Sequence, residues 1–324
     1  MSRILITGIS GQDGSYLAEK MLDLGHEVFG IIRRHSVSEN QQSRIDHVRD
    51  KITTFYGDMS DASSLERVLA EVQPDYIFNL AAQSHVRVSF DMPVYTSEVD
   101  AIGTLKLLEA YKRICPKARL YQASSSEMFG ITVDEDGFQR EETTLNPASP
   151  YGVAKVFSYN IARHYRRAYG LYICNGILFN HESSRRGANF VTQKVVTGAV
   201  RIKLGLQDKL VLGNLDSKRD WGHAKDYVDA MWMMMNHVRA DDFVIATGKA
   251  HSVRDMCETV FSYLGLDYRD YVKQNSKYMR PEEVSYLRGD ATRANIILGW
   301  QPRYTFEELM TEMVNYQLQK HDYE

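Results

Sequence analysis

Residues 4–14 read ILITGISGQDG, a short apolar run that leads directly into a turn with three glycines. An amphipathic helix is predicted to follow over residues 16–24. Gly8, Gly11 and Gly14 allow a tight turn, close approach of the backbone to a pyrophosphate, and close helix–strand packing. The helix N-terminus then offers free N–H groups to an anion. This strand–turn–helix context, with its GxxGxxG spacing of glycines, predicts a dinucleotide-binding fold.

The first half of the chain continues as an alternation of strands and helices. The candidate strands are residues 4–7, 27–32, 53–56, 76–80, 119–123 and 172–177. The amphipathic stretches between them include residues 16–24, 65–72 and 103–114. Alternation at this pitch predicts an α/β fold, a Rossmann-type doubly wound parallel sheet. After about residue 177 the alternation weakens, and no linker is evident, so we expect a smaller, interleaved α/β substrate-binding lobe.

Composition excludes several classes of protein. The 324 residues are 44% hydrophobic, enough for one large core or two linked ones, and the formal charge is −3 without long runs of like charge. We therefore expect no nucleic-acid partner. Cys115, Cys174 and Cys257 lack metal-ligand spacing, so we expect buried thiols in a reducing compartment and no metal site.

The chain shows no stretch typical of targeting or membrane insertion. The apolar run after Met1 is too short for a signal-peptide core. The methionine-rich residues 231–235 are too few to span a bilayer and predict the inner face of a helix. We expect a soluble, cytoplasmic protein without a membrane partner.

The end of the second candidate strand indicates which nicotinamide cofactor is bound. Ile32 is followed by Arg33, Arg34, His35 and Ser36, with no acidic residue to bind a ribose 2′-hydroxyl. Guanidinium groups bind phosphate oxygens in a bidentate manner, so NADP is predicted. The alternative is that the two arginines only solvate a loop.

Two later strand ends add candidate cofactor contacts. Asp58 and Met59 follow the third strand, where the Asp58 carboxylate could bind adenine. Small or polar residues follow the fourth strand, where a cofactor must pass close to the backbone. They are Leu80, Ala81, Ala82 and Ser84.

A catalytic constellation is predicted around the fifth strand and the next helix. Pro150 favours a helix start near Tyr151, which places Tyr151 and Lys155 one turn apart on the same face. A nearby cation favours the phenolate, so this pair could act as a general base near neutral pH. Ser125 and Glu127 follow the fifth strand and add a hydroxyl and a carboxylate. A plain dehydrogenase does not need that carboxylate, whereas an enzyme that removes a proton from carbon does.

Longer strings resemble one family of extended short-chain dehydrogenases. Residues 175–182 (NGILFNHE) and 219–227 (RDWGHAKDY) are the most specific, and residues 190–192 (FVT) and 280–284 (RPEEV) agree. The chain is similar to the GDP-mannose 4,6-dehydratases from residue 4 to about residue 314. The resemblance implies residues 1–177 as the NADP-binding domain, with a returning segment near 214–247. It implies residues 178–324 mainly as the GDP-sugar-binding lobe.

The resemblance also implies catalytic roles. Tyr151, helped by Lys155, deprotonates the sugar O4 while a hydride passes from C4 to NADP. Glu127 removes the C5 proton and helps water leave from C6, and the hydride returns to C6. Ser125 hydrogen-bonds O4. The family usually has Thr at this position. Ser125 keeps the hydroxyl group of that Thr and lacks its methyl group.

The predicted binding residues fall into two groups. The predicted cofactor-binding residues are Gly8, Ser10, Gly11, Gln12, Asp13, Gly14, Arg33, Arg34, Ser36, Asp58, Met59, Leu80, Ala81, Ala82, Ser84, Tyr95, Lys155, His181 and Arg186. The predicted substrate-binding residues are Ser84, Ser125, Asn180, Val191, Lys194, Arg219, Arg280 and Glu283. The resemblance further implies a homo-oligomer, a tetramer rather than a dimer. In it, residues 34–44 cross between subunits and Arg44 approaches a neighbour's NADP.

Alternative functions remain open from the sequence. The same dehydration of a GDP-heptose uses the same chemistry, and an NADP-dependent nucleotide-sugar epimerase or reductase uses the same fold. Glu127 argues against the last two, because neither needs a base at C5. A non-catalytic NADP-binding sensor is a further class, but it has no need of Tyr151, Lys155 and Glu127 together.

Overall fold

The computed structural model describes residues 1–36, 44–275 and 281–322. The strands in these residues are β1 (Arg3–Thr7), β2 (Glu27–Ile32), β3 (Ile52–Tyr56), β4 (Tyr76–Asn79), β5 (Arg119–Ser125), β6 (Tyr172–Leu178), β7 (Asn180–Glu182), β8 (Leu210–Leu212), β9 (Lys218–His223), β10 (Asp242–Ile245), β11 (Ala250–Ser252) and β12 (Val272–Gln274). The helices are α1 (Gln12–Asp23), α2 (Ala62–Val72), α3 (Val86–Asp91), α4 (Pro93–Ser97), α5 (Gly103–Ile114), α6 (Pro150–Tyr169), α7 (Val191–Lys203), α8 (Ala224–Asn236), α9 (Val253–Tyr263), α10 (Tyr268–Tyr271), α11 (Thr292–Leu298) and α12 (Phe306–Asp322).

A seven-stranded parallel sheet forms the centre of the molecule, in the order β10-β6-β5-β4-β1-β2-β3. All six predicted strands are present, and the predicted Rossmann-type fold is confirmed. β10 joins the edge beside β6 and was not among the predicted strands. Because all seven strands are parallel, their carboxyl ends share one edge. The strand order reverses between β1 and β4, where such folds bind ligands.

Two apolar layers cover the faces of this sheet. Ile4, Leu5 and Ile6 of β1 are fully buried, as expected for a parallel strand that is covered on both sides. Ile4 and Ile6 pack with residues of α1 and α8, whereas Leu5 packs with residues of α2, α5 and α6. The sheet therefore holds the N-termini of α1 and α6 against its carboxyl edge.

A smaller lobe is built from elements in the second half of the chain. It includes a three-stranded sheet, β11-β9-β7, and a parallel pair, β12-β8. Apolar side chains of α7, α9 and α12 form its own core around Trp221 and Phe261. β7 begins two residues after β6 ends, so the last strand of the large sheet leads directly into this lobe.

The methionine-rich segment lies on the inner face of α8, as predicted. Met231, Met234 and Met235 are fully buried, whereas Met233 faces outward and is 39% exposed. In the described parts of the chain, we find no helix that combines the length and apolar character needed to cross a membrane. Cys115, Cys174 and Cys257 are buried free thiols.

Candidate active site

The glycine turn between β1 and α1 is shaped for a ligand. Gly8 has φ +68°, and a Cβ there would lie 2.9 Å from the Ala81 backbone nitrogen. A Cβ on Gly14 would lie 2.4 Å from the Gly8 carbonyl oxygen. Gly11, the residue before α1, has no side chain to cap the first N–H groups of the helix. The turn therefore fits the pyrophosphate of a dinucleotide, which would accept from those N–H groups.

An ion pair ties the first turn of α1 to β7. His181 Nε2 lies 2.7 Å from Asp13 Oδ2, and Gln12 donates to the His181 carbonyl oxygen at 3.1 Å. Burial acts to raise the pKa of Asp13, but the charge and hydrogen bond of His181 outweigh it and lower the pKa. Burial acts to lower the pKa of His181, but Asp13 outweighs it and raises the pKa. Each shift favours the charged form of its group.

The end of β2 presents a cation to the same cleft. Arg33 is exposed, lines the cleft, and donates to the Tyr95 hydroxyl. Arg34 instead turns to the carbonyl oxygen of His35. Arg34 and Ser36 do not line the cleft, so the structure does not bring these two predicted cofactor residues to the site.

The N-terminus of α6 carries the predicted Tyr–Lys pair. Ser149 caps the helix by accepting from the Gly152 N–H at 3.0 Å, and Pro150 occupies the first turn. A Cβ on Gly152 would lie 2.7 Å from the Glu127 carbonyl oxygen. The helix can therefore lie directly against the end of β5. This close approach places Tyr151 and Lys155 beside the residues that follow β5.

Burial shifts the pKa of Tyr151 in the direction opposite to the predicted effect of Lys155. Burial raises the pKa of Tyr151, the negative charge of Asp100 adds to this effect, and a hydrogen bond with Ser125 opposes it. Lys155 lies one turn away as predicted, with Nζ 5.7 Å from the centroid of the Tyr151 ring. Desolvation of the buried phenolate acts against the predicted effect of Lys155, so the role of Tyr151 as a general base near neutral pH stays a prediction.

Ser125 and Glu127 stand at the end of β5, facing α6. The Glu127 N–H donates to Ser125 Oγ at 3.2 Å, and the Lys155 ammonium donates to the Ala123 carbonyl oxygen at 3.0 Å. Ser125, Glu127 and Lys155 are all buried. One strand end and one helix start thus assemble the four predicted catalytic side chains.

Polar residues of the smaller lobe face these groups across the cleft. Arg219 lies 3.6 Å from Glu283, and the Ser217 hydroxyl lies 3.4 Å from the same carboxylate. Arg219 is buried, which holds its guanidinium in place. Asn180 Oδ1 is buried and has no hydrogen-bond partner among the described residues, so it can accept from a ligand.

A second ion pair shapes the loop before α7. Arg186 Nε lies 2.8 Å from Glu182 Oε2, and the guanidinium stacks 3.6 Å above the Phe190 ring. Thr192 donates to the same Glu182 oxygen at 2.5 Å. The loop thereby keeps the Arg186 side chain at the cleft.

Most of the predicted site residues line one cleft of about 1000 Å³. Among the predicted site residues that the structure describes, only Arg34 and Ser36 do not line it. The predicted site residues that the structure places in the lining of this cleft are Gly8, Ser10, Gly11, Gln12, Asp13, Gly14, Arg33, Asp58, Met59, Leu80, Ala81, Ala82, Ser84, Tyr95, Ser125, Glu127, Tyr151, Lys155, Asn180, His181, Arg186, Val191, Lys194, Arg219 and Glu283. The predicted substrate residue Arg280 lies outside the described residues.

Sequence reasoning missed several lining residues. His85 follows the fourth strand, where the same strand-end argument would have found it. Asn214 and Ser217 line the far side after β8, which no periodic signal predicted. Asp100 does not line the cleft, but it is buried and acts electrostatically on Tyr151 and Lys155, and it was also missed. An acidic residue between the apolar Val99 and Ala101 was a signal that could have revealed it.

Arg44 contacts the cofactor turn of its own chain. Its Nε donates to the Arg185 carbonyl oxygen at 2.8 Å, and a terminal nitrogen lies 3.4 Å from the Ser10 carbonyl oxygen. Burial lowers the pKa of Arg44, and the neighbouring Arg186 and Arg185 lower it further. The predicted contact of Arg44 with a neighbouring subunit stays a prediction. Residues 37–43 of the loop thought to make that crossing lie outside the described residues.

The amino-acid sequence is similar to those of known proteins along nearly its whole length. The family model described as GDP-mannose 4,6 dehydratase matches residues 5–313. GDP-mannose 4,6 dehydratase 1 of Arabidopsis thaliana is 48% identical over 327 residues, which cover 97% of this chain and 89% of that protein. The human GDP-mannose 4,6 dehydratase is 46% identical over 339 residues, covering 96% of this chain and 90% of that protein.

Solved structures share the fold at lower identity. The dTDP-glucose 4,6-dehydratase DesIV of Streptomyces venezuelae, with NAD and TYD bound, gives a TM-score of 0.87 at 24% identity, covering 99% of this chain and 98% of that one. RMD from Pseudomonas aeruginosa, complexed with NADPH, gives a TM-score of 0.80 at 22% identity, and the match covers 98% of this chain and 100% of that one. With the family model matched across residues 5–313 and relatives nearly half identical along almost the full length, this chain belongs to the GDP-mannose 4,6-dehydratase family.

Proposed function

We propose that this protein is a GDP-mannose 4,6-dehydratase, a hydro-lyase that uses NADP in an internal redox cycle. It converts GDP-mannose to GDP-4-keto-6-deoxymannose. The observation that carries the proposal is the position of Glu127 in the same cleft as Ser125, Tyr151 and Lys155. A dehydratase needs one base for a sugar oxygen and a second for a sugar carbon, and this cleft contains both. The protein's membership of the family supports the same reaction.

The residues around the glycine turn fit NADP. Gly8 and Gly14 leave room for the pyrophosphate, and the uncapped first turn of α1 supplies N–H donors. Arg33 stands at the end of β2, where a 2′-phosphate is expected to lie, and Arg186 adds a second cation at the cleft. When bound, the nicotinamide supplies the hydride acceptor for C4, the hydride donor for C6 and, while oxidised, a positive charge.

We assign the first proton transfer to Tyr151. It takes the proton of the sugar O4 as C4 is oxidised, with Ser125 hydrogen-bonded to the same oxygen. Burial by itself raises the pKa of Tyr151, so a phenolate depends on positive charge nearby. Lys155 provides such a charge within the protein.

Glu127 performs the carbon-directed half of the reaction. The 4-ketone acidifies the C5 hydrogen, and Glu127 accepts it as a proton. Glu127 then returns that proton to the departing C6 hydroxyl, which leaves as water and gives a C5–C6 double bond. Glu127, once it has regained a proton from solvent, would protonate C5 as the bound cofactor returns the hydride to C6, and Tyr151 would release the O4 proton to solvent, so that no net proton or hydride is consumed.

The far side of the cleft suits the nucleotide of the substrate. Glu283 offers a carboxylate that can accept from the N1 and N2 donors of guanine, donors that uracil and thymine do not offer as a pair. Arg219 and Lys194 supply positive charge for the diphosphate. Asn180 Oδ1, buried and without a partner among the described residues, can accept from a hydroxyl group of the sugar.

One assay tests this function. The protein is incubated with GDP-mannose and catalytic NADP, and we expect a 4-keto-6-deoxy product without accumulation of NADPH. Stoichiometric consumption of added NADPH would indicate a reductase instead. Turnover of a GDP-heptose but not GDP-mannose would leave the chemistry intact and contradict the assigned sugar.

The assembly and location are further parts of the proposal. Val153 and Phe157 of α6 are exposed apolar residues on one helix, which supports a homo-oligomer, and we favour a tetramer over a dimer. Light scattering of the purified protein tests this, and a monomer would contradict it. A cytoplasmic location is supported by the three buried free thiols, as expected in a reducing compartment.

A further inference from the structure

A buried carboxylate acts electrostatically on the Tyr–Lys pair and has no assigned role in the reaction above. Asp100 is 2% exposed and lies in the π-helical turn Glu98–Ile102 that joins α4 to α5. Such turns are often found at functional sites. One carboxylate oxygen accepts from the Gln83 N–H at 2.7 Å. The other, Oδ2, is buried and has no hydrogen-bond partner among the described residues.

The π-helical turn that carries Asp100 packs against α6, which carries Lys155. Asp100 and Lys155 interact electrostatically, and Lys155 is itself only 4% exposed. Two isolated buried charges would each cost several kcal/mol, so opposite charges in the same dry pocket stabilise one another. The Lys155 ammonium donates one hydrogen bond to the Ala123 carbonyl oxygen, so two of its N–H groups remain for other acceptors.

We propose that Asp100 is a positioning residue that keeps Lys155 protonated inside the site and so acts on Tyr151 through Lys155. This inference rests on the proposed function for its catalytic consequence, but not for its electrostatic part. Burial lowers the pKa of Lys155, and Asp100 opposes that shift. Without its counter-ion, Lys155 loses its proton at a lower pH and can no longer stabilise a phenolate.

Other charged groups also face the Tyr–Lys pair. Tyr151 is faced by Asp100 and Glu127, which raise its pKa, and by Arg186, which lowers it. Among the described residues, Asp100 is the charged group that shifts the pKa of Lys155. Burial raises the pKa of Asp100 to about 6, against the opposing effect of Lys155. Asp100 is therefore ionised at neutral pH and neutral in mild acid.

The direct test measures the pKa of Lys155 in the intact protein without substrate. The protein is labelled with carbon-13 lysine, and the Lys155 signal is assigned by its loss in Lys155→Arg. In Asp100→Asn, which keeps an acceptor for the Gln83 N–H, we expect the pKa of Lys155 to fall by about one unit or more. An unchanged pKa would overturn the inference, whatever substrate the enzyme uses.

Two further measurements guard against a variant that fails to fold. In the wild type, the Lys155 signal should move as Asp100 takes up a proton near pH 6, and a signal that stays constant there would also overturn the inference. Asp100→Glu keeps the charge and should retain a Lys155 pKa closer to the wild type than Asp100→Asn. A fall as large as that of Asp100→Asn would count against a charge effect.

The kinetic consequence has its own readout. The alkaline limb of kcat with GDP-mannose should shift by about one pH unit to lower pH in Asp100→Asn, and the two profiles should converge below pH 6. Asp220→Asn is the matched control, because Asp220 is also buried with its pKa raised to about 6 by burial, yet it bonds to Thr247 and Gly248 in the other lobe. The alkaline limb of the kcat profile of Asp220→Asn should stay at the pH of the wild type. Failure of the wild type to turn over GDP-mannose would contradict the proposed function, and the pKa of Lys155 would still decide the role of Asp100.

Discussion

His181 and Asp13 form a partly buried ion pair in which the imidazole ring carries two protons. His181 Nε2 lies 2.7 Å from Asp13 Oδ2, and Nδ1 lies 2.8 Å from the Phe179 carbonyl oxygen. Both partners are acceptors, so both ring nitrogens must donate. The ring also stacks on Tyr227 with centroids 4.5 Å apart. A positive charge therefore offsets the Asp13 carboxylate at the helix terminus that is expected to hold the cofactor pyrophosphate.

His181→Asn should weaken both folding and cofactor binding. Removing one member of a partly buried pair leaves the Asp13 carboxylate uncompensated, at a cost of about 3 kcal/mol in the free energy of unfolding. The same charge then opposes the pyrophosphate, so the Kd for NADP should rise. Thermal unfolding and NADP titration measure these effects. His47→Asn is the control, because His47 pairs with Glu19 at the surface and should cost less than about 1 kcal/mol.

The stabilisation by this pair should follow a defined pH window. The raised pKa of His181 contributes stability below its ordinary value of 6.5, and this is lost as pH rises through the folded value. The lowered pKa of Asp13 contributes stability above 3.8, and this is lost as pH falls. The difference in unfolding free energy between wild type and His181→Asn should therefore be largest between pH 3.8 and 6.5 and shrink above it. A difference that grew with pH above 6.5 would contradict a doubly protonated His181.

Glu127→Gln should separate the two halves of the reaction. The amide cannot take the C5 proton, so water loss should fall by about a thousandfold or more, near the upper part of the range for general acid–base catalysis. Oxidation at C4 by NADP, with Tyr151 as the base for O4, should continue, and enzyme-bound NADPH should appear in a single turnover. Product analysis and absorbance of the reduced cofactor measure the two steps. Dehydration by Glu127→Gln at the wild-type rate would show that another group is the carbon base. Glu142→Gln is the control: the Glu142 side chain is exposed, so this variant should behave as the wild type.

Arg33→Ala should reduce the preference for NADP over NAD. Arg33 lines the cleft at the end of β2, whereas Arg34 does not line it and turns to the His35 carbonyl oxygen. A charge-assisted bond to the 2′-phosphate contributes about 1.5–3 kcal/mol, so the Kd for NADP should rise by about 10- to 150-fold while that for NAD changes little. Arg34→Ala should have the smaller effect. The reverse order in a binding titration would assign the 2′-phosphate to Arg34.

Gly14→Ala should disrupt the glycine turn. The added Cβ would lie 2.4 Å from the Gly8 carbonyl oxygen and 2.7 Å from Ile9 Cα, both backbone atoms that cannot move aside cheaply. Overpacking of this kind costs about 1–3 kcal/mol or more, and the strain falls on the pyrophosphate site. Gly11→Ala meets the same oxygen at 3.1 Å and should cost less. Equal melting temperatures and equal NADP affinity in Gly14→Ala and the wild type would contradict this packing.

The elements of the sheet were predictable because their signals are local. Six strands and the glycine turn follow from apolar runs and periodicity within a few residues, and the residues at strand ends follow from the rule for parallel sheets. β10 was missed, because four residues carry little periodic signal and its place depends on pairing with β6, 67 residues away along the chain. Asn214 and Ser217 were missed for a similar reason, since packing of the smaller lobe brings them to the cleft.

The tertiary structure decided the charges of the site. By itself the sequence determined that Tyr151 and Lys155 are one helical turn apart and that Glu127 follows a strand end. It could not show that Tyr151 is buried, that Asp100 acts electrostatically on Lys155, or that His181 faces Asp13 across 168 residues of chain. Spacing along a helix is a local property, whereas the pKa of a side chain depends on desolvation and on charges that only the folded chain brings together.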